Sequence, residues 1–226
     1  FLVQALVVPL VLVGFQLVFN GGLAHAIGSS FQHASAFAYG LGAYALTSSA
    51  LGVLGVEGNA LWMLYALPVP LHRIMLRKTV LWAGFALAYT VIALAVCAFM
   101  TEKLEPVDCV YAGMACAGVV VYAFIAAGLG MLGTDPLETE VRRRLRVGTD
   151  YLYMMLAALF GYAMYAPSWW TQAAQLVLSC LLAYALWQKV EDHAPFLLDP
   201  VAHPPPQVSL ADGLIAALAF FVLQGL

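Results

Sequence analysis

The chain alternates between long uncharged stretches and short polar segments. The first 56 residues contain no Asp, Glu, Lys or Arg. A helix that spans a bilayer needs about 20 mostly apolar residues, and six uncharged stretches are near that length. They are residues 1–20, 34–56, 79–100, 110–132, 151–166 and 169–188, with a seventh, 211–226, cut short at the last residue. The pattern predicts an all-α, polytopic membrane protein with six full transmembrane helices and a truncated seventh.

Two of these predicted spans lie within one uncharged run, residues 151–188, which is too long for a single crossing. Pro167 and Ser168 interrupt the run and are followed by Trp169 and Trp170. Proline breaks a helix, and paired indole rings are typical of the interface between membrane and water. The two halves are therefore predicted to form a helical hairpin.

The composition excludes an ordinary soluble domain. Of 226 residues, 64% are hydrophobic and 9% are charged, whereas soluble domains have about 45–50% apolar and about 25% charged residues. The basic residues are few and clustered, so nucleic acid is not an expected partner. The four cysteines have no CxxC spacing and lie mostly in apolar runs, which predicts free packing residues and no metal site.

The distribution of cations predicts the orientation in the membrane. If each span crosses once, Lys103 falls on one side and all other cations fall on the opposite side: Arg73, Arg77, Lys78, Arg142, Arg143, Arg144, Arg146 and Lys189. Short cytoplasmic loops carry an excess of Lys and Arg. Loops 57–78, 133–150 and 189–210 are therefore predicted to be cytoplasmic, and we expect a multi-pass protein of the bacterial cytoplasmic membrane.

The first of these loops, residues 57–78, is predicted to be a bent helical segment at the membrane surface. Residues 59–66 can form two helical turns, Pro68 and Pro70 then force a corner, and a second helix from Leu71 to Lys78 leads into the next span. An exposed Trp on such an elbow can serve as a docking anchor. The alternative is an interfacial helix that rests among the lipid headgroups, and composition alone favours it.

The order of residues in this loop resembles the first cytoplasmic loop of ABC-2 type transporter permeases, over about 22 residues. In that family a Glu-Gly opens a coupling helix, a Leu-Pro follows, and a Lys leads into the next membrane helix. The matching positions here are Glu57, Gly58, Trp62, Leu67, Pro68 and Lys78. The resemblance implies that the elbow docks against a separate cytoplasmic ATP-binding subunit and that the chain pairs with a second permease copy, as a homodimer or a heterodimer.

On that interpretation each part of the loop has a role. Glu57 and Gly58 form the hinge, Trp62 and Leu67 seat the loop against the ATPase, and Arg73 and Lys78 form an electrostatic clamp.

The second cytoplasmic loop has a helix start, with Asp135 as N-cap, Pro136 at the first helical position and Glu138 two residues later. Two favourable i,i+4 pairs follow and predict a solvated helix: Glu138 with Arg142, and Glu140 with Arg144. The Arg cluster is interpreted as a topological anchor. Contact with the ATPase or with anionic lipid is the alternative.

Two further segments carry polar residues. His25 and His33 lie in the predicted external segment 21–33 and are interpreted as polar loop residues, with a metal site or a proton relay as the alternative. Residues 191–210 are Pro-rich and predict an extended cytoplasmic linker. It separates a permease-like transmembrane domain, 1–190, from the start of a further transmembrane helix, 211–226.

These observations favour the membrane subunit of an ATP-driven exporter, present here as a fragment. The chain has no GxxxxGK[ST] phosphate loop and no catalytic constellation, so we expect neither enzyme activity nor a cofactor. An ion-coupled carrier would need ionisable residues within its spans, and the six full predicted spans have none. The other alternative is a protease-like intramembrane enzyme whose catalytic part lies beyond residue 226.

Overall fold

A computed structural model describes residues 30–55, 63–64, 66, 69–101, 105–135, 144–166 and 168–194. This part of the chain is all-helical, as the sequence predicts, and contains five helices. They are α1 (Phe31–Ser48), α2 (Leu71–Met100), α3 (Asp108–Gly133), α4 (Val147–Met164) and α5 (Trp169–His193).

Three of the five helices are long and apolar enough to cross a membrane: Leu71–Phe99, Asp108–Gly133 and Trp169–His193. The other two, α1 and α4, are each 18 residues long and are not among them. Gln32 and His33 lower the hydropathy of α1, as Thr149 and Asp150 do for α4. Six full spans are therefore not supported by the described residues, and the predicted spans 1–20 and 211–226 lie outside them.

Helix α1 differs from the predicted span 34–56, since it begins at Phe31 and ends at Ser48. The hydroxyl groups of Thr47, Ser48 and Ser49 donate to backbone carbonyls of the last turn, at 2.7, 3.2 and 2.8 Å. Such local bonds compete with the helical ladder. The chain then turns through residues 49–54, so the first loop begins earlier than the charge pattern predicts.

Two other boundaries also move. The short helix predicted from Leu71 to Lys78 and the span predicted at 79–100 form one continuous helix of 30 residues, which starts directly after Pro70. Helix α5 continues to His193, so Glu191 and Asp192 lie in a helix and not in the predicted linker. The hairpin is confirmed, since α4 ends at Met164 and α5 begins at Trp169.

Helix α3 is the centre of the bundle and packs against each of the other four helices. In the most apolar segment of each helix, 67% of α3 is buried, compared with 28% of α2 and 17% of α5. Consecutive helices from α1 to α5 run antiparallel. The starts of α2 and α4 and the ends of α1, α3 and α5 therefore share one end of the bundle.

Three buried tyrosines join the helices at the middle of the bundle. Each donates a hydrogen bond from its hydroxyl to a backbone carbonyl of a neighbouring helix: Tyr39 to Ala157 (3.3 Å), Tyr122 to Leu156 (2.7 Å) and Tyr153 to Ala43 (3.0 Å). A carbonyl oxygen has a second lone pair beyond its own helical bond. The hydroxyl groups are thus satisfied without water, and they tie α4 to both α1 and α3.

The outer faces of α2 and α5 are apolar. Phe85, Ile92 and Leu181 are each more than half exposed, and Phe99 is 93% exposed. Contiguous apolar surface of this extent is rare on soluble monomers. Together with the three candidate spans, it indicates a membrane protein whose outer faces meet lipid chains.

Candidate functional site at the basic end of the bundle

The described cations all lie at one end of the bundle. They occupy the first turns of α2, the residues just before α4 and the last turns of α5: Arg73, Arg77, Lys78, Arg144, Arg146 and Lys189. Acidic residues Asp135, Asp150, Glu191 and Asp192 share this end. Glu105 and Asp108 are the charged residues described at the opposite end. Lys103, the predicted external cation, lies outside the described residues. Among the described residues, Lys and Arg are therefore confined to one end of the bundle.

The structure describes only part of the predicted coupling loop at this end. Glu57, Gly58, Trp62, Leu67 and Pro68 lie outside the described residues. Their predicted roles as hinge and seat remain predictions.

The remaining two residues of the predicted site, Arg73 and Lys78, both lie in the first two turns of α2. Arg73 is exposed and Lys78 is half-buried. At five positions apart they are separated by about 140° around the helix axis, so the structure does not bring them together as one clamp. Arg73 shares a face with Arg77 instead, which is also exposed.

The beginning of the first loop is tightly packed. Leu51 and Leu54 follow α1 and have no exposed surface. The backbone of Leu51 lies directly against Gly130 of α3, where an added Cβ would overlap the Leu51 carbonyl oxygen and lie 2.8 Å from its carbonyl carbon. Only glycine at position 130 allows this approach of the loop to the central helix.

An apolar cluster supports both ends of this loop. Its buried members come from the loop and from α2, α3 and α5: Val53, Leu54, Leu71, Met75, Ala127, Met131, Val190 and Ala194. Leu71 and Met75 belong to the first turns of α2, where the loop returns to the bundle. The loop therefore leaves and re-enters the bundle over one continuous apolar surface.

A second connection, between α3 and α4, meets the first loop at the same end. Its two sides are paired by backbone hydrogen bonds, from the Asp135 amide to the Arg144 carbonyl (2.8 Å) and from the Arg146 amide to the Gly133 carbonyl (3.1 Å). Residues 136–143, which include Glu138 and Glu140, lie outside the described residues. Where it is described, the connection is a closed loop with paired ends.

Arg144 lies in a different environment from the one that the sequence predicts. It was predicted on a solvated helix, but its side chain is only 2% exposed. Its Nη1 donates to the backbone carbonyl of Gly55 at 2.9 Å, across 89 positions of sequence. In the sequence Arg144 looks like its neighbours Arg142, Arg143 and Arg146, and no local signal separates it from them.

A second polar cluster lies at the opposite end, around the turn between α4 and α5. The amides of Gln32 and Gln172 both donate to the carbonyls of Met164 and Ala166, over distances of 2.6–3.3 Å. These carbonyls belong to the end of α4, where the helical ladder leaves acceptors without a partner. The cluster therefore caps the predicted hairpin.

The structure does not place His33 in the external loop that the sequence predicts. His33 lies in the first turn of α1 and not in a loop, and its ring packs 5.1 Å from the ring of Tyr165. His25 lies outside the described residues. Among the residues that the structure describes, no group of three or more His, Cys, Asp or Glu side chains could hold a metal ion.

The cysteines are free thiols. Cys97 is buried and Cys116 is half-buried, as expected for packing residues, whereas Cys109 and Cys180 are exposed.

A scan against protein-family models, a search of curated proteins and a search of solved structures each returned no match for this chain.

Proposed function

We propose that this chain is the membrane subunit of an ATP-driven exporter of the ABC-2 type, which receives mechanical work from a separate ATP-hydrolysing subunit. The proposal includes six full membrane spans and a further span at 211–226, with loops 57–78, 133–150 and 189–210 in the cytoplasm. It also includes pairing with a second permease copy. The chain carries no phosphate loop of its own, so the motor belongs to the partner.

One observation carries the proposal: the residue order from Glu57-Gly58 through Leu67-Pro68 to Lys78 leads directly into an apolar helix of spanning length. The position of Lys78 near the start of α2 fits the resemblance, in which a Lys leads into the next membrane helix. The elbow interpretation is supported by the continuous helix that begins after Pro70.

The charge distribution supports the predicted orientation. The described cations gather where the first and second loops meet, and a cytoplasmic ATPase would approach this end. An excess of Lys and Arg is the usual mark of the cytoplasmic face. Exposed Arg73 and Arg77 leave a basic surface there for a partner.

A crosslinking experiment tests the partner. Ala66 is exposed, and the variant Ala66→Cys is expected to crosslink to the ATPase in membranes from the native host. The native thiol of Cys109 is exposed at the opposite end and serves as the control that should not crosslink. Failure to recover any ATP-hydrolysing subunit with the purified protein would refute the proposal.

A second experiment tests coupling. Glu57→Ala is expected to leave assembly with the ATPase intact but to reduce transport per ATP hydrolysed, because the predicted hinge loses its carboxylate. Glu105→Ala removes an exposed acid at the opposite end and should have no effect. Equal coupling in the two variants would contradict the role of Glu57.

The same preparations separate the alternatives. An ion-coupled carrier would move its substrate in sealed vesicles that lack the ATPase, driven by an imposed ion gradient. A protease-like enzyme would cleave a membrane-bound substrate without nucleotide. Either result in the absence of ATP would support that alternative and refute the exporter proposal.

A further inference from the structure

Arg144 differs from the other arginines that the structure describes. Arg73, Arg77 and Arg146 are exposed, whereas Arg144 is 2% exposed. Removal of a guanidinium group from water costs free energy unless hydrogen bonds replace its hydration. The 2.9 Å bond from its Nη1 to the Gly55 carbonyl supplies one such bond. The first loop therefore contributes to the stabilisation of this buried cation.

Arg144 is also fixed through its backbone. Its carbonyl accepts the hydrogen bond from the Asp135 amide at 2.8 Å, so the residue is held against the end of α3. The side chain then reaches Gly55, two residues before Glu57 in the predicted hinge. One residue thus connects the end of the central helix to the entrance of the first loop.

We infer that Arg144 is a positioning residue, which holds the entrance of the first loop against the end of α3. A displacement of loop 57–78 would then be passed to the central helix, and not only to the flanking helices α1 and α2. This inference deepens the proposed function and rests on it, because the displacement of the loop is attributed to the partner ATPase. The anchoring of the loop entrance by Arg144 depends only on contacts within this chain.

The surrounding contacts make the connection stiff. The Leu51 backbone touches Gly130 one turn before the end of α3, and Val53 and Leu54 are buried in the apolar cluster with Met131. Close-packed contacts of this kind transmit displacement because they cannot deform continuously. Arg144 adds a directional bond at the point where the loop leaves that cluster.

The test measures whether the loop entrance opens when Arg144 is changed. Val53 is 4% exposed, so Val53→Cys introduces a protected thiol of similar size next to the anchor. Native Cys97, which is buried on α2, reports global unfolding, and exposed Cys109 gives the reference labelling rate. Cys116 and Cys180 are replaced by Ala, and maleimide labelling of the purified protein is followed for each thiol by peptide mass spectrometry.

Three variants are compared in this background. Arg144→Gln removes the charge and the guanidinium, and we expect labelling at position 53 to rise about tenfold, as loss of a hydrogen bond from a charged donor predicts. Arg144→Lys keeps the charge without the planar fork and should give an intermediate rate. Arg146→Gln removes the same charge from an exposed neighbour and should leave the rate unchanged.

Two results would overturn the inference. One is an unchanged labelling rate at position 53 in both Arg144 variants. The other is an equal rise at Cys97, which would mean that Arg144 stabilises the whole bundle and does not position the loop. If Arg144→Gln is not recovered in folded form, Arg144→Lys carries the same comparison.

The functional consequence is measured separately, in the complex with the ATPase. Arg144→Gln is expected to lower transport per ATP hydrolysed, with partial recovery in Arg144→Lys and none of the loss in Arg146→Gln. Normal coupling despite an opened loop entrance would overturn the transmission to α3. If no ATPase is recovered, the proposed function fails, while the labelling experiment still decides whether Arg144 anchors the loop.

Discussion

Substitution of Gly130 by Ala tests the contact between the first loop and the central helix. Gly130 lies within α3 with ordinary helical backbone angles, since the described residues include no glycine with positive φ. Alanine is therefore compatible with the backbone, and the added methyl group is the only perturbation. It would overlap the Leu51 carbonyl oxygen and lie 2.8 Å and 3.1 Å from the carbonyl carbon and Cα of Leu51.

The magnitude follows from two opposing effects. Alanine in place of glycine stabilises a helix by about 1 kcal/mol, whereas an added methylene in a well-packed site costs about 1–3 kcal/mol. Gly113 provides the matched control, because it lies on the same helix and a Cβ there would meet no atom within 4 Å. The difference in free energy of unfolding between Gly130→Ala and Gly113→Ala cancels the propensity gain and should equal about 1–3 kcal/mol.

Thermal unfolding in detergent or in nanodiscs measures this difference. For a chain of this size about 1 kcal/mol corresponds to about 2–4 °C, so Gly130→Ala should unfold roughly 2–12 °C below Gly113→Ala. The atoms in conflict belong to the backbone of Leu51 and not to a flexible side chain, so relaxation requires the loop to move. Equal midpoints for the two variants would refute the packing of the first loop against α3.

Three further predictions concern other parts of the bundle. Tyr153→Phe removes the hydroxyl that donates to Ala43 and should lower the free energy of unfolding by about 0.5–1.5 kcal/mol. The control is Tyr151→Phe, whose side chain is 73% exposed and whose loss of a hydroxyl should have no measurable effect in the same unfolding assay. Gln172→Leu removes one of the two amides that donate to the end of α4. Because Gln32 still donates to the same carbonyls, the loss should destabilise the hairpin by about 0.5–1.5 kcal/mol. Increased protease cleavage near Pro167 would detect this loss, and cleavage at the wild-type rate would contradict it. In sealed cells, a membrane-impermeant maleimide should label native Cys109, and labelling only after the membrane is opened would reverse the predicted orientation.

Local sequence rules predicted much of the helical framework. The uncharged stretches 110–132 and 169–188 correspond closely to α3 and α5, because apolarity over about 20 residues is a property of the segment itself. Pro70 and Pro167 marked a helix start and a hairpin for the same reason, since proline acts on its immediate neighbours. The end of α1 was missed because three consecutive hydroxyl residues and the turn after them outweighed the absence of charge.

The candidate site could be predicted only in part. The sequence alone determined where the cations are and which loop carries the resemblance, because both depend on residue order. The separation of Arg73 and Lys78 around α2 follows from their spacing within a predicted helix. Only the tertiary structure decided that Arg144 is buried and that Gly130 receives the backbone of Leu51. Those contacts join positions up to 89 residues apart, and their geometry depends on how the helices pack around α3, which no local pattern of hydrophobicity or charge encodes.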